Sequence, residues 1–365
     1  MSAADNCRFF SERGTKMNNI RIQGIGTAVP DHVYDQSSVR RFADNMFSGR
    51  VENLERVLKV FDHLHIEERH FAQEPDWYGI ERGFGAANDL FIESAKKLSL
   101  AAAGRAISNA QVTPEDFGGI VVASTTGIMT PSLDAYLMQD LEMDMNIVRL
   151  PLFGLGCAGG VSGLARAAEL SSCHGGAPVL FVAVEICSAT FQRNDLSKSN
   201  LIGTSIFADG AAALVVGKAE SGPEIVGSYH RLFPKTYDIM GWDVIDTGMK
   251  VRFSRDIPSF VRKHIPGVIA DACASWGISI DEIASYVTHP GGAKVLEAFA
   301  EVIGQPAPML ANSHEILRRY GNMSSASILF VLEHMMLNQG LNPGYCLMSA
   351  LGPGFSSDQL LLHNP

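Results

Sequence analysis

The chain has 365 residues, 46% of them hydrophobic and 19% charged, with a formal net charge of -10. That length supplies enough apolar sequence for one large α/β domain or two fused halves, and the negative balance excludes a general nucleic-acid binder. No apolar run reaches a membrane span, and the six cysteines (Cys7, Cys157, Cys173, Cys187, Cys273 and Cys346) are scattered without zinc spacing, which reads as reduced thiols in a cytoplasmic protein.

Residues 1–17 read as a loose polar leader. Ile20 to Thr27 alternates apolar and polar residues, the period of a strand. Two short helices are expected at Ser37 to Met46 and Asn53 to His63. On the second, Arg56, Lys59 and His63 would share one face. Such a stripe is either a solvated surface or a phosphate-binding patch. Asn88 to Asn109 reads as a long helix and Gly119 to Ala123 as a strand. A helix opens at Pro131 and runs to about Leu141. The apolar run Ile147 to Phe153 is a strand leading into Gly154-Leu155-Gly156-Cys157-Ala158-Gly159-Gly160. A helix follows over Val161 to Leu170. Pro178 to Val184 is apolar throughout, as in a central strand. Phe191 to Ser205 reads as a polar excursion, and Ala211 to Gly217 as a strand.

The second half begins with strands near Ile225 to Phe233 and Lys250 to Phe253, then a helix over Ile257 to Trp276. Ser285 to Thr288 is a strand that ends in His289, and Ala293 to Val302 is a helix. Tyr320 to Ser325 is a turn before the helix Ala326 to Asn338. Strands at Tyr345 to Leu351 and Asp358 to His363 close the chain.

The glycine-flanked Cys157 stands where a strand turns sharply into a helix. The positive end of that helix favours a thiolate. A small buried cysteine at a crowded junction is the other reading, and the stretch alone leaves both open. A hidden duplication adds to it. Val112-Thr113-x-Glu115-Asp116-Phe117 matches Ile278-Ser279-x-Asp281-Glu282-Ile283. Cys157 and Met323 are separated by that same spacing, and so are Pro178 and Gly344. Two related halves would bring equivalent helix starts face to face, at the carboxyl ends of their strands. Cys157, His289 and Asn322 would then meet. A Cys–His pair supplies an activated thiolate, and an Asn amide can donate to a developing oxyanion. Their bland alternatives are a strand-end histidine and a turn asparagine.

The chain resembles the type III polyketide synthases, the chalcone-synthase-like branch of the thiolase-fold condensing enzymes, from about Ile20 to its end. The motifs that carry the resemblance are Gly156-Cys157-Ala158-Gly159-Gly160, Phe207-Ala208-Asp209-Gly210-Ala211-Ala212-Ala213, His289-Pro290-Gly291-Gly292, Tyr320-Gly321-Asn322-Met323-Ser324-Ser325-Ala326 and Gly352-Pro353-Gly354-Phe355. The resemblance implies an α/β thiolase-like fold. Its two pseudo-symmetric βαβαβ-containing halves, 18–220 with the cysteine and 221–365 with the histidine and asparagine, form five α-β-α-β-α layers.

It also implies the chemistry. Cys157 accepts an acyl group from an acyl-CoA. His289 and Asn322 hold the malonyl-CoA carbonyl during decarboxylation, and the enolate attacks the acyl-Cys157 thioester, iteratively, before cyclisation to an alkylpyrone, an alkylresorcinol or a related small polyketide. CoA thioesters are substrates, and no metal or flavin is implied. Phe207 matches a gatekeeper phenylalanine. A second gatekeeper falls on Val251, which is expected to widen the pocket. Thr125, Cys187, Thr190 and Ser324 align with cavity-shaping positions. Arg56, Lys59 and His63 align with a CoA-phosphate patch. Thr130 falls where the family sends a loop into a partner's cavity, so a homodimer is implied. The small cavity residues favour a fatty acyl starter. The alternatives are a single-condensation ketosynthase of the KAS III type, a cysteine hydrolase and a non-catalytic acyl-CoA binder.

Overall fold

The computed structural model describes residues 19–304, 307–339 and 341–365; the leader expected over 1–17, with Cys7, lies outside them. The first half contains β1 (Ile20–Ala28), β2 (His32–Asp35), α1 (Gln36–Phe47), α2 (Leu54–Leu58), β3 (Glu68–Phe71), α3 (Pro75–Gly79), α4 (Phe84–Ala110), β4 (Gly119–Ser124), α5 (Leu133–Asp140), β5 (Val148–Phe153), α6 (Gly159–Cys173), β6 (Val179–Ile186), α7 (Lys198–Ile206) and β7 (Asp209–Lys218). The second contains β8 (Glu224–Leu232), β9 (Met240–Ile245), β10 (Gly248–Phe253), α8 (Ile257–Trp276), β11 (Ile283–Thr288), α9 (Ala293–Ile303), α10 (Ala311–Tyr320), α11 (Ser327–His334), β12 (Gly344–Gly352) and β13 (Ser356–Asn364).

Nine strands form one mixed sheet in the order β11-β12-β13-β8-β1-β7-β6-β4-β5. The order β4-β6-β7-β1 recurs as β11-β12-β13-β8, with β4 parallel to β6 and β11 parallel to β12. The two sets join through a single residue pair, Arg21 with Glu224. The repeat extends to local detail. Thr113 and Asp116 form a capping box before β4, and Ser279 and Glu282 form the same box before β11.

Strand alternation makes the layers. Ile120 and Val122 face α4, at Leu98 and Ala102, while Val121 and Ala123 face α6, at Leu164 and Ala168. The central helices α6 and α11 back onto Cys346, Met348, Leu360 and Leu362 of the second set. Leu347 and Leu361 point the other way, against Ile269 of α8 and Phe299 of α9. The result is the α-β-α-β-α stack the resemblance implies. Phe181 on β6 is fully buried in the central layer; truncating it to alanine would cost ~3–5 kcal/mol.

Some elements depart from the sequence reading. The helix expected over Asn53 to His63 stops at Leu58, and His63 belongs to a separate 3-10 turn, Phe61–His63. Leu54, Leu58 and Phe61 turn inward against Val39, Ala43 and Phe47, so core packing sets the break. Arg56, Lys59 and His63 therefore do not lie along one helix. The polar excursion contains α7, capped by Ser197, whose side chain accepts from the Asn200 N–H. Its hydroxyl and amide residues dilute the apolar signal. Pro131 precedes rather than opens α5, whose N-cap is Ser132. The expected final helix divides into a 3-10 turn, Ser324–Ala326, then α11 and a π turn, Met335–Gln339.

Candidate active site

Cys157 lies in a 3-10 turn, Gly156–Ala158, at the N-terminal end of α6. Gly156 has φ +49°, and a Cβ there would come 2.7 Å from Pro353 Cδ, so glycine alone fits. The Gly156 N–H donates to Thr125 Oγ1 at 2.9 Å. Thr125 N–H, Thr126 Oγ1 and Ser325 Oγ all donate to the fully buried Glu185, at 3.0, 2.8 and 2.6 Å. The turn is thus braced from below by a carboxylate with three donors.

Cys157 Sγ sits 3.6 Å from Ser324 Oγ. Burial pushes its thiol up to about 12, and the Glu185 charge adds to this, while hydrogen bonds from Ser324 and Asn322 act in the opposite sense. Burial also depresses His289 to about 3. Ionising either group alone is therefore opposed. Passing the Sγ proton to His289 keeps the net charge unchanged.

Asn322 is held by its backbone. Its N–H donates to Ile206 O and its carbonyl accepts from the Ala208 N–H, both at 2.9 Å, a one-pair parallel bridge to Phe207. Its Oδ1 accepts from the Ser324 N–H at 2.8 Å; of its two Nδ2 donors, one is drawn to Cys157 and the other is left for a ligand. His289 follows β11 and its N–H donates to Ser349 O at 2.9 Å. Neither of its ring nitrogens has a hydrogen-bond partner, and the buried hydroxyls of Thr288 and Ser349 are unpaired too.

Cys157, His289, Asn322, Thr288 and Ser349 line one cavity of ≈190 Å³. Its polar end holds the unpaired atoms just named; Ile206, Phe253, Val295 and Phe299 make the apolar part. Beyond Cys157 lies a pocket of ≈20 Å³ bounded by Phe207, Trp242, Val251, Phe253 and Ser324. Phe207, Trp242 and Val251 also border a third, apolar chamber of ≈100 Å³, with Cys187, Thr190 and Phe42. The three adjoin through shared walls, with Phe207, Trp242 and Val251 common to the small pocket and the apolar chamber.

The structure thus sets Phe207, Val251, Ser324, Cys187 and Thr190 along these cavities. Two expectations differ. Val251 does not simply widen the passage: Trp242, its cross-strand partner in the β9–β10 hairpin, has its ring 5.8 Å from that of Phe207, so a neighbouring strand supplies the second aromatic. Thr125 borders none of the three cavities; its hydroxyl braces the Cys157 turn instead. Thr130, expected to face a partner's cavity, is exposed and lines none of the three in its own chain. Arg56, Lys59 and His63 are exposed on the surface.

Sequence reasoning missed Met240, Trp242 and Phe253, which form the inner face of the hairpin and line these cavities. A signal existed. Met240-Gly241-Trp242 alternates before the Asp246-Thr247-Gly248 turn, a hairpin pattern.

Comparison with known proteins fits this geometry. Family models described as the N-terminal and C-terminal domains of chalcone and stilbene synthases match residues 10–220 and 224–364. A Bacillus subtilis (strain 168) protein, whose name sets it among the chalcone synthases, is 38% identical over 93% of this chain and 97% of its own. The 1,3,6,8-tetrahydroxynaphthalene synthase of Streptomyces peucetius subsp. caesius is 32% identical over 96% of this chain and 93% of its own. Among solved structures, the 1,3,6,8-tetrahydroxynaphthalene synthase of Streptomyces coelicolor A3(2), a bacterial type III polyketide synthase, superposes with a TM-score of 0.89 at 26% identity, covering 94% of this chain and 99% of that one.

Proposed function

The chain belongs to the chalcone and stilbene synthase family and is a type III polyketide synthase, and from that premise we propose that it extends an aliphatic acyl group carried on Cys157. The observation that supports this most is the set of adjoining cavities, with a thiol, two unpaired imidazole nitrogens and a free amide donor at one end and an apolar chamber at the other.

The steps follow from these groups. Cys157 Sγ attacks the acyl-CoA carbonyl as its proton passes to His289, and CoA leaves as the thiol with that proton. The aliphatic tail passes Phe207 and Trp242 into the chamber. The thioester carbonyl of malonyl-CoA then lies between His289 and Asn322 Nδ2. As carbon dioxide leaves, the C–C bonding pair becomes an enolate whose oxygen those donors stabilise. The enolate carbon attacks the acyl-Cys157 carbonyl, the C–S bond breaks, and the lengthened chain remains on CoA. Reloading and repetition give a poly-β-keto chain that cyclises to an alkylpyrone, an alkylresorcinol or a related small polyketide.

CoA thioesters are the substrates, with the surface side chains of Arg56, Lys59 and His63 receiving the CoA phosphates. The partner is a second copy of the chain. In support, β5 is the outer strand of the sheet, and it leaves Val148 38% and Phe153 60% exposed, an edge that another strand can cover. Thr130 is then the residue that reaches across. The work is assigned to the cytoplasm; among the described residues, no helix is long and apolar enough to cross a membrane.

The test is incubation of the protein with malonyl-CoA and acyl-CoAs of graded length, with products read by mass. Long-chain products carrying two or more added acetate units are expected. Short or aromatic starters alone would sink the aliphatic assignment; a single added unit would sink the iterative one.

A further inference from the structure

Arg69, on β3, is the largest fully buried side chain of the described residues. A buried guanidinium is expensive unless its donors are used. No carboxylate lies within ion-pair distance of it among the described residues, the buried Asp209 acting on it only from farther off, and Nε and Nη2 have no partner. Its Nη1 donates to two carbonyls, Thr204 O and Phe207 O, both at 2.8 Å.

Those carbonyls belong to the C-terminal end of α7, where the last carbonyls of a helix have no intrahelical donor. The four in sequence are all claimed. Arg69 takes those of Thr204 and Phe207, the buried Gln36 side chain donates to Ser205 O at 2.8 Å, and the Asn322 N–H takes Ile206 O. A cation at a helix C-terminus also meets the negative end of its dipole. The same side chain touches the other strand of the site. Gly321, with φ +68°, precedes Asn322, and a Cβ on it would come 2.9 Å from Arg69 Cδ. One side chain therefore serves both segments that meet at the Phe207–Asn322 bridge, its guanidinium on the α7 carbonyls and its methylene stem against Gly321.

We propose that Arg69 is a positioning residue for the condensing site: as the buried cap of α7 it fixes together the gate ring of Phe207 and the amide of Asn322. This rests on the polyketide synthase reading above. Arg69 touches no substrate. It acts by setting where the Asn322 amide stands relative to His289, and so governs the decarboxylating step, in which that amide stabilises the enolate. Loading of Cys157 depends first on the α6 turn and on His289, to neither of which Arg69 is hydrogen-bonded, and the Asn322 amide aids it only secondarily by favouring the thiolate. A lysine retains the charge but lacks the planar fork that lets one group meet two divergent carbonyls.

The test separates the two half-reactions in Arg69→Met and Arg69→Lys. Acylation of Cys157 is read by intact mass after mixing with an acyl-CoA, and decarboxylation by acetyl-CoA formed from malonyl-CoA. Arg69→Met should still acylate Cys157 at close to the wild-type rate and lose decarboxylation about 10²-fold, the scale of an ångström displacement of a catalytic group. Arg69→Lys should recover part of that loss. Equal loss of both half-reactions, or loss of neither, overturns the proposal. If Arg69→Met does not fold, the same comparison in Arg69→Lys decides, with a selective loss of decarboxylation expected. A wild-type protein that neither acylates Cys157 nor decarboxylates malonyl-CoA would instead defeat the polyketide reading.

Discussion

Val251→Phe places an aromatic ring in the ≈20 Å³ pocket that shares walls with both the thiol cavity and the apolar chamber. Val251 is 6% exposed and faces Trp242 across the hairpin, with Phe207 bordering the same pocket. A new ring there has no free volume except the passage itself. The overpacking should cost the fold ~1–3 kcal/mol, and the ring should close the chamber to an acyl tail. Each methylene kept out of the chamber forfeits ~0.8 kcal/mol, so four of them amount to ~3 kcal/mol, or about 10²-fold in kcat/KM. Starters short enough to end before the gate should keep their rate. The assay is kcat/KM across a series of acyl-CoAs of increasing length, with malonyl-CoA in excess. A selective loss of the long starters is the expected pattern. A uniform loss at all lengths, or undiminished use of long chains, would refute the idea that the tail runs past Val251.

Cys157→Ala should show no acyl adduct by intact mass and should lower product formation at least ~10³-fold, the scale seen when a covalent nucleophile is removed. His289 carries a pH dependence of defined sign. Burial lowers it from 6.5 to about 3, so stability is fully present above 6.5 and is lost as pH falls through that value towards 3; from pH 7 to pH 5 the loss should be ~2 kcal/mol. Urea titrations at the two pH values should show that extra loss in the wild type and not in His289→Gln. Charge reversal at Arg56 or Lys59 should raise KM for CoA thioesters about 5-fold per site while sparing kcat, and the effect should shrink in high salt; a changed kcat at low salt would move the CoA phosphates elsewhere. Phe153→Asp should convert a dimer to a monomer in light scattering, because it puts a charge on the exposed edge of β5; an unchanged mass would place the contact between copies elsewhere.

How much of this could be read without coordinates varied with the range of the interaction. The strand–turn–helix around Cys157, the paired capping boxes at Thr113 and Ser279, and the strand leading to His289 depend on neighbours a few residues apart, and their residue types declare them. The helix α7 was hidden because its Ser, Asn and Thr residues follow no apolar period, although Ser197 caps it. The break after Leu58 was hidden because Phe61 turns into a cluster with α1, a tertiary preference that overrides local propensity.

The site divides in the same way. Sequence alone determined the chemical inventory, a thiol on a glycine turn, an imidazole at a strand end and an amide after a glycine, since each is announced by its immediate flanks. Only the tertiary structure decided what surrounds that inventory. It turned Thr125 towards Gly156, brought Trp242 from the next strand beside Phe207 and Val251, and set Arg69 against carbonyls 135 and 138 residues away. Those outcomes depend on side-chain direction and on which distant segments pack together, and local periodicity carries neither.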